Sequence, residues 1–83
     1  MIKLSIITPD KAVFEGQVTS VMVPGSAGNF EVLVNHAPIV SSLDKGKVVI
    51  SNGKNEETIM ITGGVVEVIQ NTVTVLAEGI IVD

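Results

Sequence analysis

His36 is the sole imidazole in the 83-residue chain and the natural first candidate for acid-base chemistry. A general base needs a positioned acid and a pocket. Glu31 and Asp44 are the nearest acids in sequence, and Ser41 or Ser42 would be the nucleophile of a triad. Asn35-His36-Ala37-Pro38 has the character of a loop, and a contact or structural role outweighs catalysis for an isolated histidine there. A metal site has no better support, because one His and scattered carboxylates lack ligand spacing. Gly25-Ser26-Ala27-Gly28 has the small residues of a phosphate loop. It lacks the Lys-Ser/Thr ending of a Walker motif and any following helix, so it reads as a connection between strands. Asp10-Lys11-Ala12 offers a rival from another class, the lysine triplet of lipoyl-carrier domains. Lys11 lies near the N-terminus, however, without matching halves on either side.

Composition narrows the chemistry further. There is no Cys, which removes disulfides, thiolate metal sites and cysteine nucleophiles, and the absence leans towards a reducing compartment. The five positive charges are all Lys and the net charge is −4. A basic footprint for nucleic acid is missing, and so is the forked guanidinium that grips phosphate. No catalytic, cofactor-binding or metal-binding residue is therefore expected.

The elements that would position these residues are short and extended. Hydrophobic residues make up 46% of the chain, too many for a disordered segment. Most are Val and Ile, whose β-branched side chains suit a pleated sheet. Ile2, Leu4 and Ile6 alternate with Lys3 and Ser5, the period of a half-buried strand. Thr8-Pro9-Asp10 stops that run. Val13 and Phe14 form a second run ending at Gly16. Val18 to Val23 form a third, closed by Pro24-Gly25, where a type II turn would give Gly25 a positive φ. Phe30, Val32 and Val34 alternate with Glu31 and Leu33. Asn52-Gly53 between Lys47–Ser51 and Glu57–Ile61 is the strongest hairpin signal. Gln70-Asn71 joins Val65–Ile69 to Thr72–Leu76, and Gly79 precedes a last run, Ile80 to Val82. Thr62-Gly63-Gly64 marks a bulge or a close backbone approach, a structural role. Turns recur every eight to twelve residues or so without a helical stripe. The fold class is all-β, a flattened sandwich or barrel of about ten short strands in a single domain over residues 1–83. No run is long enough to cross a membrane, and the opening residues read as a strand rather than a signal peptide.

Three stretches resemble the epsilon subunit of F-type ATP synthases. The first is Phe14-Glu15-Gly16 with Val18 and the run ending Val23-Pro24-Gly25. The second runs from Gly25-Ser26-Ala27-Gly28 through Phe30, Val32 and Leu33 into Asn35-His36-Ala37-Pro38-Ile39-Val40. The third is Ile61-Thr62-Gly63-Gly64-Val65-Val66-Glu67-Val68, then Asn71 and Val73-Thr74-Val75-Leu76-Ala77. Together they cover nearly the whole chain. Two positions depart from the pattern. Glu31 stands where the family commonly has Gly, and Val34-Asn35 replaces a Pro-Gly or similar pair before His36.

The resemblance implies a non-catalytic subunit of the central stalk, a rotor part that couples proton-driven rotation to ATP synthesis. It also implies two partners, the gamma subunit and the membrane-embedded c-ring. By carry-over, Ser26, Ala27, Gly28, Asn29 and Glu31 face the c-ring, and His36, Pro38 and Ser41 face gamma. The protein would then lie on the cytoplasmic face of the inner (cell) membrane as a peripheral subunit, held there only through partner proteins. Many family members continue into a two-helix hairpin that inhibits hydrolysis and in some binds ATP. These 83 residues hold no such hairpin, so assembly and coupling without inhibition or nucleotide binding are expected.

Overall fold

A computed structural model describes residues 1–82. Nine strands follow one another: β1 Ile2–Ile7, β2 Ala12–Val18, β3 Ser20–Val23, β4 Phe30–Val32, β5 Ile39–Leu43, β6 Gly46–Asn52, β7 Asn55–Ile61, β8 Gly64–Ile69 and β9 Thr72–Ala77. Among the described residues there is no helix. The strands form a five-stranded sheet, β2-β1-β9-β8-β5, and a four-stranded sheet, β4-β3-β6-β7. The all-β sandwich expected from the sequence is therefore what forms. The last expected run contributes one isolated bridge, Ile61 to Ile80.

Alternation builds the core. From the larger sheet, Ile2, Leu4, Ile6, Val66, Val68, Val73 and Val75 point inward and are buried. From the smaller sheet they meet Val21, Val23, Val32, Val48, Ile50 and Ile61. Each such side chain contributes about 1.5–3 kcal/mol by leaving water. All pairings are antiparallel except one: β1 lies parallel to β9, with Lys3 opposite Thr72 and Ile7 opposite Leu76. Most strands are thus joined by hairpins, while β1 is closed by the end of the sandwich farthest from it in sequence.

Four local expectations are revised. The Val13-Phe14 run continues through Gly16 to Val18 as a single strand, β2. The Val18–Val23 run breaks at Thr19, because there the chain leaves one sheet for the other. Thr19 donates from both its amide and its hydroxyl to the Ser51 carbonyl, each at 2.9 Å. Leu33 and Val34 lie beyond β4, since a turn closed by the His36 amide on the Leu33 carbonyl (3.1 Å) follows Val32. Gly25 does not have a positive φ. What requires glycine there is space: a Cβ would stand 2.7 Å from the Gly28 carbonyl oxygen and 2.9 Å from the Phe30 ring.

Candidate functional site

The triad partners do not assemble. Asp44 and Ser42 are joined through Ser26: Ser42 Oγ donates to Ser26 Oγ at 3.0 Å, and Ser26 Oγ donates to Asp44 Oδ1 at 2.9 Å. His36 is elsewhere. Its Nδ1 donates to the Ala37 carbonyl at 2.6 Å, and its ring lies 6.3 Å, centroid to centroid, from that of Phe30. The serines therefore have a carboxylate beside them but not the imidazole that a triad requires. Among the described residues no three potential metal ligands converge. Lys11 sits in the β1–β2 turn, where its carbonyl accepts from the Thr8 amide at 2.9 Å.

Most residues expected to make contacts fall into two loops at opposite ends of β5, while Glu31 lies in β4 and Ser41 in β5 itself. The first loop, residues 25–29, is tied to the Leu43 end. Gly25 bridges Leu43, the Ser26 amide donates to the Ser42 carbonyl at 3.0 Å, and the Asp44 amide donates to the Pro24 carbonyl at 2.8 Å. Ser26 spends its hydroxyl on these internal bonds. Ala27, Gly28 and Asn29 form the exposed tip, and Glu31 points outward from β4 opposite Met22. The second loop, residues 33–38, is tied to the far end. Asn35, at φ 68°, donates its amide to Asn71 Oδ1 at 2.6 Å, and Asn71 Nδ2 donates back to Asn35 Oδ1 at 3.2 Å. Phe30, half-buried, lies between the loops, with one ring edge at Gly25 and its ring tilted 33° to that of His36.

Between these loops lies a surface that sequence reasoning did not single out, the outer face of the five-stranded sheet. Register places three rows there. Ile7, Leu76, Val65 and Ser42 form the row beside the first loop. Glu15, Ser5, Thr74, Glu67 and Val40 form the middle row. Gln17, Lys3, Thr72 and Ile69 form the row beside the second. Five of these residues are large hydrophobics left open to solvent, from Ile7 at 37% to Val40 at 69% exposure. The alternation of Val65-Val66-Glu67-Val68-Ile69 was the available signal. Its outward positions are as apolar as its inward ones, apart from Glu67. Pro38 joins this face, lining a shallow groove with Val40, Glu67 and Ile69. Ser41 does not. It occupies an inward position in register with Val66, and its hydroxyl bonds to the Ser42 carbonyl at 3.1 Å.

Comparison with known proteins places this arrangement among relatives. Residues 1–82 match the family model of the ATP synthase delta/epsilon chain β-sandwich domain. The ATP synthase epsilon chain of Chlorobium limicola is 43% identical over 79 residues, covering 94% of this chain and 90% of that one. That of Leptospira borgpetersenii serovar Hardjo-bovis (strain JB197) is 42% identical over 77 residues, covering 93% of this chain. This chain spans 61% of the length of the Leptospira relatives it matches. A chain in the cryo-EM structure of the Euglena gracilis mitochondrial ATP synthase, OSCP/F1/c-ring in rotational state 1, superposes with a TM-score of 0.90. The overlap covers 96% of this chain and 52% of that chain at 20% identity, a likeness of fold.

Proposed function

Because this chain belongs to the ATP synthase delta/epsilon family of β-sandwich domains, we propose that it is a non-catalytic central-stalk subunit of an F-type ATP synthase. In this reading it docks on the gamma subunit and the c-ring and helps carry rotation between them. The observation that carries it is the open apolar outer face of the five-stranded sheet. Val40 and Leu76 are more than half exposed there, with Ile69 at 50%. A contiguous apolar patch on a small soluble domain marks an interaction surface. The gamma subunit is the proposed occupant, with Pro38 and the His36 loop at the edge of the contact. Ser41 faces inward beside this edge, in register with Val66.

The loop tip of Ala27, Gly28 and Asn29, together with Ser26 and Glu31, is the proposed c-ring contact. It projects from the opposite end of β5, so both partners can be engaged at once. The tip offers backbone donors and acceptors and one amide, which fits a modest polar contact. The complex would be membrane-associated through the ring, and this chain would touch no lipid itself.

Two experiments test the reading. Purified chain is mixed with the gamma subunit of its own cell, and binding is measured for wild type and for Val40→Asp. Wild-type binding that the variant loses is expected. Failure of the folded wild-type chain to bind gamma would remove the proposal. Cysteines at Ala27 and Asn29 are expected to cross-link to the c-ring in the assembled enzyme, and products only with stator proteins would overturn the loop assignment.

A further inference from the structure

Among Val40, Val65, Ile69 and Leu76 on the proposed docking face, Glu67 is the charged residue. It sits within the apolar part of the surface. Val65 and Ile69 precede and follow it on the same side of β8, and Val40 and Thr74 lie directly across from it. Directly opposed side chains in a sheet touch, and those two positions along a strand are within reach of one another. Glu67 lines the same groove as Val40 and Ile69. The cation nearest in register on this face is Lys3, two strands away in the next row, with its Cα about 12 Å from that of Glu67 by strand geometry. In the free chain Glu67 is exposed, so water solvates its carboxylate and nothing needs to pair with it. Covering the face removes that water. An ionised carboxylate left without a partner in an apolar contact costs more than several neighbouring hydrophobic contacts return.

We infer that Glu67 sets the specificity of the face, which fits a partner surface that is apolar except for one Lys or Arg placed to meet the Glu67 carboxylate. This rests on the docking reading above and adds to it. Val40, Val65, Ile69 and Leu76 supply area, which any apolar surface could match. Glu67 rejects surfaces that bring no cation, and it fixes the register of those that do, because one charge pair near the centre of an interface allows one alignment.

The test measures the affinity of the intact chain for its gamma subunit by calorimetry, with wild type, Glu67→Gln, Glu67→Lys and Val40→Asp. Each variant is checked by thermal melting, and all three substitutions sit on the outer face, away from the core. Glu67→Gln keeps the shape and leaves the partner's cation unpaired, so binding is expected to weaken about tenfold. Glu67→Lys sets like charges together and is expected to weaken it about thirtyfold or more. Val40→Asp is expected to abolish binding through the loss of apolar contact. If Val40→Asp loses binding while both Glu67 variants bind as wild type, the charge inference is overturned and the docking face stands. If all four chains bind alike, the docking face itself is wrong and the inference falls with it.

Discussion

At the residue scale, glycine is required for different reasons at different positions. Gly64 has φ 154°, and a Cβ there would stand 2.2 Å from the Leu76 carbonyl oxygen and 3.0 Å from the Ala77 Cα. Both neighbours are backbone of β9, which cannot swing aside as a side chain would. Gly64→Ala is expected to destabilise the chain by about 2–4 kcal/mol, read as a lower urea midpoint. A midpoint equal to wild type would show that the ladder yields. The structural role of Gly63-Gly64 was legible, because paired glycines at a strand edge signal close approach. The reason for Gly25 was not legible. Pro-Gly names a turn type, but the obstacles are the Gly28 carbonyl and the Phe30 ring, and sequence does not say where either lies. The tie of Asn35 to Asn71 was not legible for a related cause. The left-handed φ at position 35 suits Asn, and the two hydrogen bonds with Asn71 span 36 residues of chain.

At the scale of elements, hairpins were legible and sheet changes were not. Asn52-Gly53 marked the β6–β7 hairpin correctly, although the turn centre is Gly53-Lys54, with Asn52 paired to Asn55 as the last rung. Gly53, at φ 67°, takes the first central position that a type II′ turn reserves for glycine. The crossing at Thr19 left no mark in composition, since Val18 and Ser20 are both buried, one in each sheet. Edge strands carry their own logic. Ile80–Ile81 covers one end of β7 through the Ile81 amide on the Met60 carbonyl at 2.9 Å. Towards Asn55, Glu57 occupies an inward-facing position opposite the core residue Ile50, at the mouth of a cleft with Phe14 and Val18. An inward charge at an open edge keeps other strands from adding there. Glu57→Val is expected to raise stability by about 1 kcal/mol, because it extends the apolar lining, and to promote self-association in sedimentation. A variant that stays monomeric and is no more stable would remove this role from Glu57.

For the whole molecule, the count and alternation of strands pointed to a sandwich or barrel, and the outward apolar residues of β8 carried the clue to its open face. The closure of the sandwich was beyond local patterns. Parallel pairing of β1 with β9 joins Lys3 to Thr72, and no short-range signal encodes a contact of that span. It does set a timetable for synthesis. At about 5–20 residues per second, β9 is finished between about 4 and 15 seconds after β1. Until then β1 has only β2 beside it, and an isolated hairpin is marginal in water. Ile2, Leu4 and Ile6 are thus made well before the strand that shelters β1, so the nascent chain carries an open apolar face in the meantime. Refolding of the finished chain should follow from the same closure, taking about milliseconds to seconds rather than microseconds. A chain stopped after Asn71 should give the collapsed amide spectrum of an unfolded protein. A dispersed spectrum from that fragment would mean that β1 finds shelter without β9.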